Sequence, residues 1–531
     1  MLLAEPEGFY LYDTTLRDGA QQEGIQLTVA DKLRVVDLLD GLGIPFIEGG
    51  WPGSNTKDTQ FFEAVQTKKL RQAKMVAFGA TRKAGGSAST DPLLRALVEA
   101  GTEWVCLVAK SHPEHVRQAL KTSLDENLAM VHDSVSWLVA QGKQVIIDAE
   151  HYFEGFLGDP VYARDVAKAA AEAGASWVVL CDTNGGMLPA QIADIVSRTL
   201  SVGANIGIHC HNDTGCALAN SLSAVDAGVT MVQGTMNGYG ERTGNLDLVP
   251  LIGNLHLKYG WHLLTSEQLE SLTHVSNAIA DIAGQPRQPR QPYVGRSAFA
   301  HKAGLHASAL KVDESLYQHI APETVGNRMR MLISEASGRA NVEIKARELK
   351  LDLSADGLVG RVVEAVKARE SQGYSYEAAD ASFELLARDV AGTLDKPFEV
   401  ERWRVVTLGG EEAGDAEATV TLRIADGAAE TQRLVRVGEG NGPLDALADG
   451  LRQGLTASFP AVAAYELVDY RVRILDTGRG TDATVRVLID TTDGADHRWT
   501  TVGVGANVID ASWEALADAY LFGLVKGFGA A

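Results

Sequence analysis

The sequence predicts an α/β protein built on a closed (β/α)8 TIM barrel, and three observations carry that prediction. Between residue 9 and residue 260, eight short apolar runs alternate with amphipathic helical stretches. Several of these stretches end in glycine just before the next run, Gly43 and Gly228 among them, where a left-handed helix cap is expected. Polar and charged residues collect at the C-terminal ends of the runs, where the loops of a barrel build its active face. Eight such units in roughly 250 residues fit a barrel better than an open doubly wound sheet. No GxGxxG follows the first run, so the usual mark of a dinucleotide-binding sheet is missing.

Taken in order, the first run, FYLYD, ends in Asp13 and leads into Arg17 and Asp18. The second, FIEGG, carries Glu48. KMVAFGA and WVCLVAK follow as the third and fourth apolar runs. The fifth, QVIIDAE, brings Asp148 and Glu150, and the sixth, WVVLCDT, ends in Asp182 and Thr183. The seventh, IGIHCH, sets His209 and His211 two residues apart, so in a strand both rings leave one face. That spacing suits two ligands of one metal ion, and equally two hydrogen-bonded core histidines. The eighth, MVQGTMN, opens a loop holding Asn237, Glu241, Arg242 and Asn245. Charged groups and histidines converging from five strand ends are hard to explain as packing, so a site is expected at that mouth.

The chain has 531 residues, too many for one hydrophobic core. The expected division is a barrel over 1–275, mainly helical linker subdomains over 276–395, and a C-terminal α+β domain over 396–531. AGQPRQPRQPYVGRSAF reads as an extended connector, DGLVGRVVEAVKARESQG as helix, and TLDKPFEVERWRVV as the start of a strand-rich region. That region repeats itself: RLVRVGEGNGPLDAL from Arg433 aligns with RWTTVGVGANVIDAS from Arg498 at an offset of 65 residues. Each copy reads as three strands and a glycine turn into a helix, which predicts two βββα units. Gly438, Gly440 and Asn441 in one turn, and Gly503 and Gly505 in the other, are candidates for binding an effector at helix N-termini. They are equally simple strand-to-helix turns, because short glycine motifs are weak signals.

A formal net charge of −21 argues against a nucleic-acid or membrane-surface partner, since phosphates need clustered Lys and Arg. No apolar run approaches the roughly 18–20 residues of a membrane span. The start, MLLAEPEGFYLYD, has no basic segment before an apolar stretch, so no secretion signal is expected. Cys106, Cys181, Cys210 and Cys216 show no CxxC pairing, which suggests reduced thiols and a cytoplasmic protein.

Three ordered motifs, LYDTTLRDGAQQEG, HCHND and GYGERTGNLDL, resemble the metal-dependent barrel enzymes that make and break carbon–carbon bonds beside carbonyls. This superfamily includes the 2-isopropylmalate, homocitrate and citramalate synthases, hydroxymethylglutaryl-CoA lyase and pyruvate carboxyltransferase domains. The resemblance continues through HKAGLHASAL and VGNRMRMLISEASGRAN to the C-terminus. It implies a metal shell of Asp18, His209, His211 and Asn245, with Arg17 beside the ion. Mixed nitrogen and oxygen ligands suit Mg²⁺, Mn²⁺ or Zn²⁺, and the family favours Mg²⁺ or Mn²⁺.

The long C-terminal extension places the chain with the synthases, which condense acetyl-CoA with a 2-oxo acid. The resemblance implies Glu150 as catalytic base and His306, in HKAGLHASAL, as a contributor brought in by the partner of a homodimer. Thr183 is expected to hold the oxo-acid carboxylate. Asp148 and Glu48 are assigned to substrate binding, with Glu48 alternatively orienting Arg17 or satisfying backbone donors. LYDTTLRDGAQQEGI, FIEGGWPGSN and HKAGLHASAL are closest to the citramalate synthases, which implies pyruvate as acceptor, (R)-citramalate as product and feedback inhibition by isoleucine. Thr56 departs from that pattern, where a proline is expected, in a loop that bears little on the site. The alternatives are a larger oxo acid, giving 2-isopropylmalate or homocitrate; a lyase of the same superfamily; and a scaffold without activity that binds an effector.

Overall fold

A computed structural model of the chain describes residues 5–407, 416–425, 431–475, 483–495 and 497–529. It divides into two compact units, Met1–Phe299 with Ile320–Arg328, and Ala300–His319 with Met329–Ala531.

In the first unit, strands β1 (Tyr10–Asp13), β2 (Phe46–Gly50), β3 (Lys74–Ala80), β4 (Trp104–Lys110), β5 (Gln144–Glu150), β6 (Trp177–Asp182), β7 (Asn205–Cys210) and β8 (Met231–Gly234) close in sequence order into a barrel. Every pairing is parallel, and β1 meets β8 through Tyr10 to Met231 and Asp13 to Gly234. Successive residues face opposite sides, and the sequence is apolar on both. Leu11, Ile47, Ala77, Val105, Ile147, Val178, Ile208 and Val232 face the surrounding helices in one continuous core. Tyr12, Val76, Cys106, Ile146, Val179 and Met231 fill the interior. Each fully buried aliphatic chain contributes about 1.5–3 kcal/mol, so both layers favour closure.

The two ends of the barrel differ in chemistry. Tyr10, Phe46, Trp104 and Trp177, each the first residue of its strand, meet edge to face or tilted at centroid separations of 4.9–6.2 Å and block the N-terminal end. The other end is polar and open to ligand. Helix Val29–Leu42 starts on a Thr28–Asp31 capping box and stops at Gly43, whose φ of +100° is the left-handed cap expected there. Gly228, at φ +110°, ends helix Ala217–Ala227 in the same way.

In the second unit, β9 (Ala300–His301) pairs with β10 (Arg330–Met331), and helices Arg339–Glu348, Leu358–Ser371 and Asp380–Ala391 pack through Val342, Val362, Val366 and Phe383. Two three-stranded antiparallel sheets follow. One is β11 (Phe398–Thr407), β12 (Ala416–Ala425) and β13 (Thr431–Gly440); the other is β14 (Glu466–Ile474), β15 (Val485–Thr492) and β16 (Arg498–Gly505). Helices Pro443–Leu455 and Val508–Lys526 follow one sheet each, so the 65-residue repeat is two βββα units around a shared core. Among the described residues no helix is long and apolar enough to cross a membrane.

Candidate active site

The mouth of the barrel holds a cavity of about 250 Å³ lined by Arg17, Asp18, Asp148, Glu150, Thr183, His209 and His211, with Trp51, Phe78 and Val108 as its apolar wall. Residues as far apart in sequence as Arg17 and Arg242 reach it because they lie at or just past the C-terminal ends of the parallel strands.

After β1 the chain turns sharply. Asp13 accepts from the backbone and hydroxyl of Thr15 at 2.9 and 2.8 Å, and the Thr15 hydroxyl accepts from the Met236 backbone at 2.8 Å. This turn points Arg17 and Asp18 into the mouth. The Arg17 guanidinium donates to Glu48 at 2.6 Å and to Asp18 at 2.8 Å, and lies 3.9 Å over the Phe78 ring. Glu48 is fully buried, and its oxygens also accept from the Tyr12 and Thr14 hydroxyls at 2.7 and 2.5 Å. Glu48 is not among the residues lining the cavity, and its oxygens serve Arg17, Tyr12 and Thr14. Glu48→Leu leaves a guanidinium and two hydroxyls without their buried acceptor. It should cost about 3–5 kcal/mol, read as an earlier unfolding transition of the barrel in urea.

His209 and His211 do share a face. Their ring centroids are 5.2 Å apart, and His209 Nε2 lies 3.8 Å from an Asp18 oxygen. Ligand atoms of Asp18, His209 and His211 all fall within 4.8 Å of one another. Asn245 joins them because its backbone bridges that of His211, while its amide donates to Asp18 at 2.8 Å and to the Tyr239 carbonyl at 3.0 Å. Gly240 permits this approach: at φ +153°, a Cβ there would sit 2.2 Å from the Asn245 amide nitrogen.

The donor set fits a divalent cation. Buried Asn245 Oδ1 and His211 Nδ1 have no hydrogen-bond partner, an arrangement that is costly unless something else satisfies them. Burial, and then His209, push the His211 pKa down to about 4, so its ring offers a lone pair at neutral pH. Burial opposes ionisation of Asp18, but Arg17 and the two imidazoles outweigh it and hold the carboxyl below its usual range. Glu48, Cys106 and Asp148 form a second tight cluster. There the carboxylates already accept from Arg17, Tyr12, Thr14 and Gln233, and burial pushes the Cys106 thiol up, so it stays protonated.

Four features escaped the sequence reading. Glu150 forms an ion pair with Lys110, the last residue of β4 and its register partner. Gln233, fully buried on β8, contacts His209 at 2.9 Å and donates to Asp148 at 2.8 Å. Arg242 clamps Asp213 at 2.8 and 2.9 Å and the Thr183 carbonyl at 2.8 Å, tying three active-face loops together. The Thr183 hydroxyl accepts from the His151 backbone at 2.8 Å, which leaves its proton for the cavity.

His306 belongs to the second unit, on helix Gly304–Leu310, with its ring stacked on Tyr317 at 4.1 Å. The glycines of the repeat have a packing explanation. A Cβ at Gly438 would lie 2.2 Å from Gly450 nitrogen, at Gly440 2.6 Å from Ala446 nitrogen, and at Gly503 2.0 Å from Ala511 oxygen. Gly505 is tight as well, at 3.0 Å from Ala511 nitrogen, and the Asn441 backbone donates to Asp445 at 3.0 Å. These glycines let each helix lie close on its sheet.

Three family signatures tile the chain: HMGL-like over residues 8–279, homocitrate synthase post-HMGL domain-like over 293–373, and LeuA allosteric (dimerisation) domain over 377–522. The (R)-citramalate synthase of Streptomyces coelicolor is 55% identical over 98% of this chain and 97% of its own length. Those of a Synechocystis species and Aquifex aeolicus are 47% and 43% identical, over 97% and 98% of this chain and 96% and 98% of theirs. With a signature covering the barrel and relatives matching from end to end, the chain belongs to the (R)-citramalate synthase family.

Proposed function

We propose that this chain condenses acetyl-CoA with pyruvate and water to give (R)-citramalate and free CoA. The observation that supports this most is full-length similarity to (R)-citramalate synthases, joined to a cavity that gathers a metal-type donor set, a guanidinium and a carboxylate. Asp18, His209, His211 and Asn245 would hold a divalent cation, Mg²⁺ or Mn²⁺ before Zn²⁺. When bound there, such an ion supplies Lewis-acid polarisation of a keto group. Thr183 donates its hydroxyl proton to the oxo-acid carboxylate. Arg17, locked by Glu48, presents positive charge to the alkoxide that develops on the keto oxygen. Asp148 bounds the pyruvate pocket beside Arg17, its nearest oxygen 4.0 Å from the guanidinium.

Glu150 takes a methyl proton from acetyl-CoA, and the resulting enolate carbon bonds to the pyruvate keto carbon. Water then cleaves the thioester, releasing CoA and the citramalate carboxylate. Glu150 fits the base because it lines the same cavity as Arg17 and Asp18, and His306 of the partner subunit is the group that the family resemblance adds to the same step. Glu150→Gln should lower kcat by about 10²-fold and abolish solvent-deuterium exchange into the acetyl-CoA methyl group.

Residues 396–531 act as the regulatory domain and build a homodimer, with isoleucine as the inhibitor, after a barrel over 1–275 and linkers over 276–395. A thiol-release assay over pyruvate, 2-oxoisovalerate and 2-oxoglutarate, with and without EDTA and isoleucine, tests the reading. Turnover should be greatest with pyruvate and be abolished by EDTA, and isoleucine should reduce it. Preference for a larger oxo acid would instead make the chain a 2-isopropylmalate or homocitrate synthase.

A further inference from the structure

We infer that Gln233 is a positioning residue that sets which nitrogen of His209 faces Asp18. The two residues are register partners on neighbouring parallel strands β7 and β8, so both side chains enter the barrel at one level. Gln233 is fully buried, and His209 and Asp148 are each 4% exposed, so water does not compete for their hydrogen bonds.

The chemistry of Asp148 fixes the direction of the chain. An ionised carboxylate only accepts, so the Gln233 amide turns its NH₂ group to Asp148 Oδ1, at 2.8 Å. The amide oxygen then faces His209 Nδ1 at 2.9 Å, and an oxygen there requires a proton on Nδ1. With a proton on Nδ1, the only nitrogen that can offer a lone pair is Nε2, which lies 3.8 Å from Asp18. The interior of the barrel thus selects one tautomer before any ligand arrives. Strand eight supplies this group although no residue of that strand lines the cavity.

The inference rests on the reading of His209 as a ligand, and the test separates the two. In full-length, metal-free protein labelled with ¹⁵N-histidine, the His209 signals, assigned by their loss in His209→Gln, should show protonated Nδ1 and bare Nε2. Mn²⁺ affinity is then compared by calorimetry in wild type, Gln233→Leu and Gln233→Glu. Gln233→Leu should bind Mn²⁺ about 10–100-fold more weakly and lose the Nδ1–H tautomer. Gln233→Glu keeps an acceptor for that proton and can share a second proton with Asp148 in place of the amide NH₂, so it should stay within about threefold of wild type, well inside the outer-shell effect. A proton on Nε2 in the wild type overturns the inference, as does Gln233→Leu binding Mn²⁺ like wild type. An equal loss in both variants also overturns it, because it marks a merely structural role. If Gln233→Leu does not fold, the wild-type spectrum and Gln233→Glu decide. Wild-type protein that shows the tautomer but binds no Mn²⁺ would instead refute the metal reading.

Discussion

Arg17→Ala is expected to keep its divalent ion and still turn over about 10²–10³-fold more slowly, the loss typical when one preorganised oxyanion donor is removed. The separation follows from the geometry. Arg17 is held by Glu48 at 2.6 Å and Asp18 at 2.8 Å and is backed by Phe78, yet it ligates nothing itself. Its removal leaves Asp18, His209, His211 and Asn245 in place. Arg17→Lys should recover little of the lost rate, because one ammonium cannot reproduce the fork that bonds Glu48 and Asp18 together. Thiol release and Mn²⁺ titration on the same preparation check both halves. Turnover within about threefold of wild type would remove Arg17 from the oxyanion role.

His211→Ala should lose the ion and the reaction together. Outer-shell substitutions already weaken metal sites by about 10–100-fold, and a lost ligand costs more. The fold should survive, because His211 lies just past β7 and its bridge to Asn245 runs through the backbone. Unchanged far-ultraviolet dichroism with no measurable Mn²⁺ binding or turnover is the expected pair of results. An active, metal-replete variant would contradict the assignment.

Much of the barrel was legible because its chemistry is local. Each strand is a short apolar run with polar residues at its C-terminal end, and the observed β3, β4 and β5 have the bounds read from KMVAFGA, WVCLVAK and QVIIDAE. Period two alone put His209 and His211 on one side, although the strand itself stops at Cys210. What stayed hidden depends on partners far along the chain. Glu48 reads as any acidic residue until Tyr12, Thr14 and Arg17 converge on it. Gln233 looks unremarkable in MVQGTMN, since a lone amide gives no hint of spanning His209 and Asp148. Lys110 ends an apolar strand as a solvated lysine would, and only barrel closure brings it to Glu150. The glycines of the repeat read equally as ligand turns and as strand-to-helix turns, and the close seat of each helix on its sheet emerges only with the fold.

The central claim is that four side chains, from positions 18 to 245, hold one divalent ion at the barrel mouth. Anomalous diffraction from Mn²⁺-loaded crystals tests it most directly. The account predicts one peak per chain at about 2 Å from Asp18, His209, His211 and Asn245 donor atoms. A peak at the Glu48, Cys106 and Asp148 cluster, or none at the mouth in crystals grown from active protein, would contradict it.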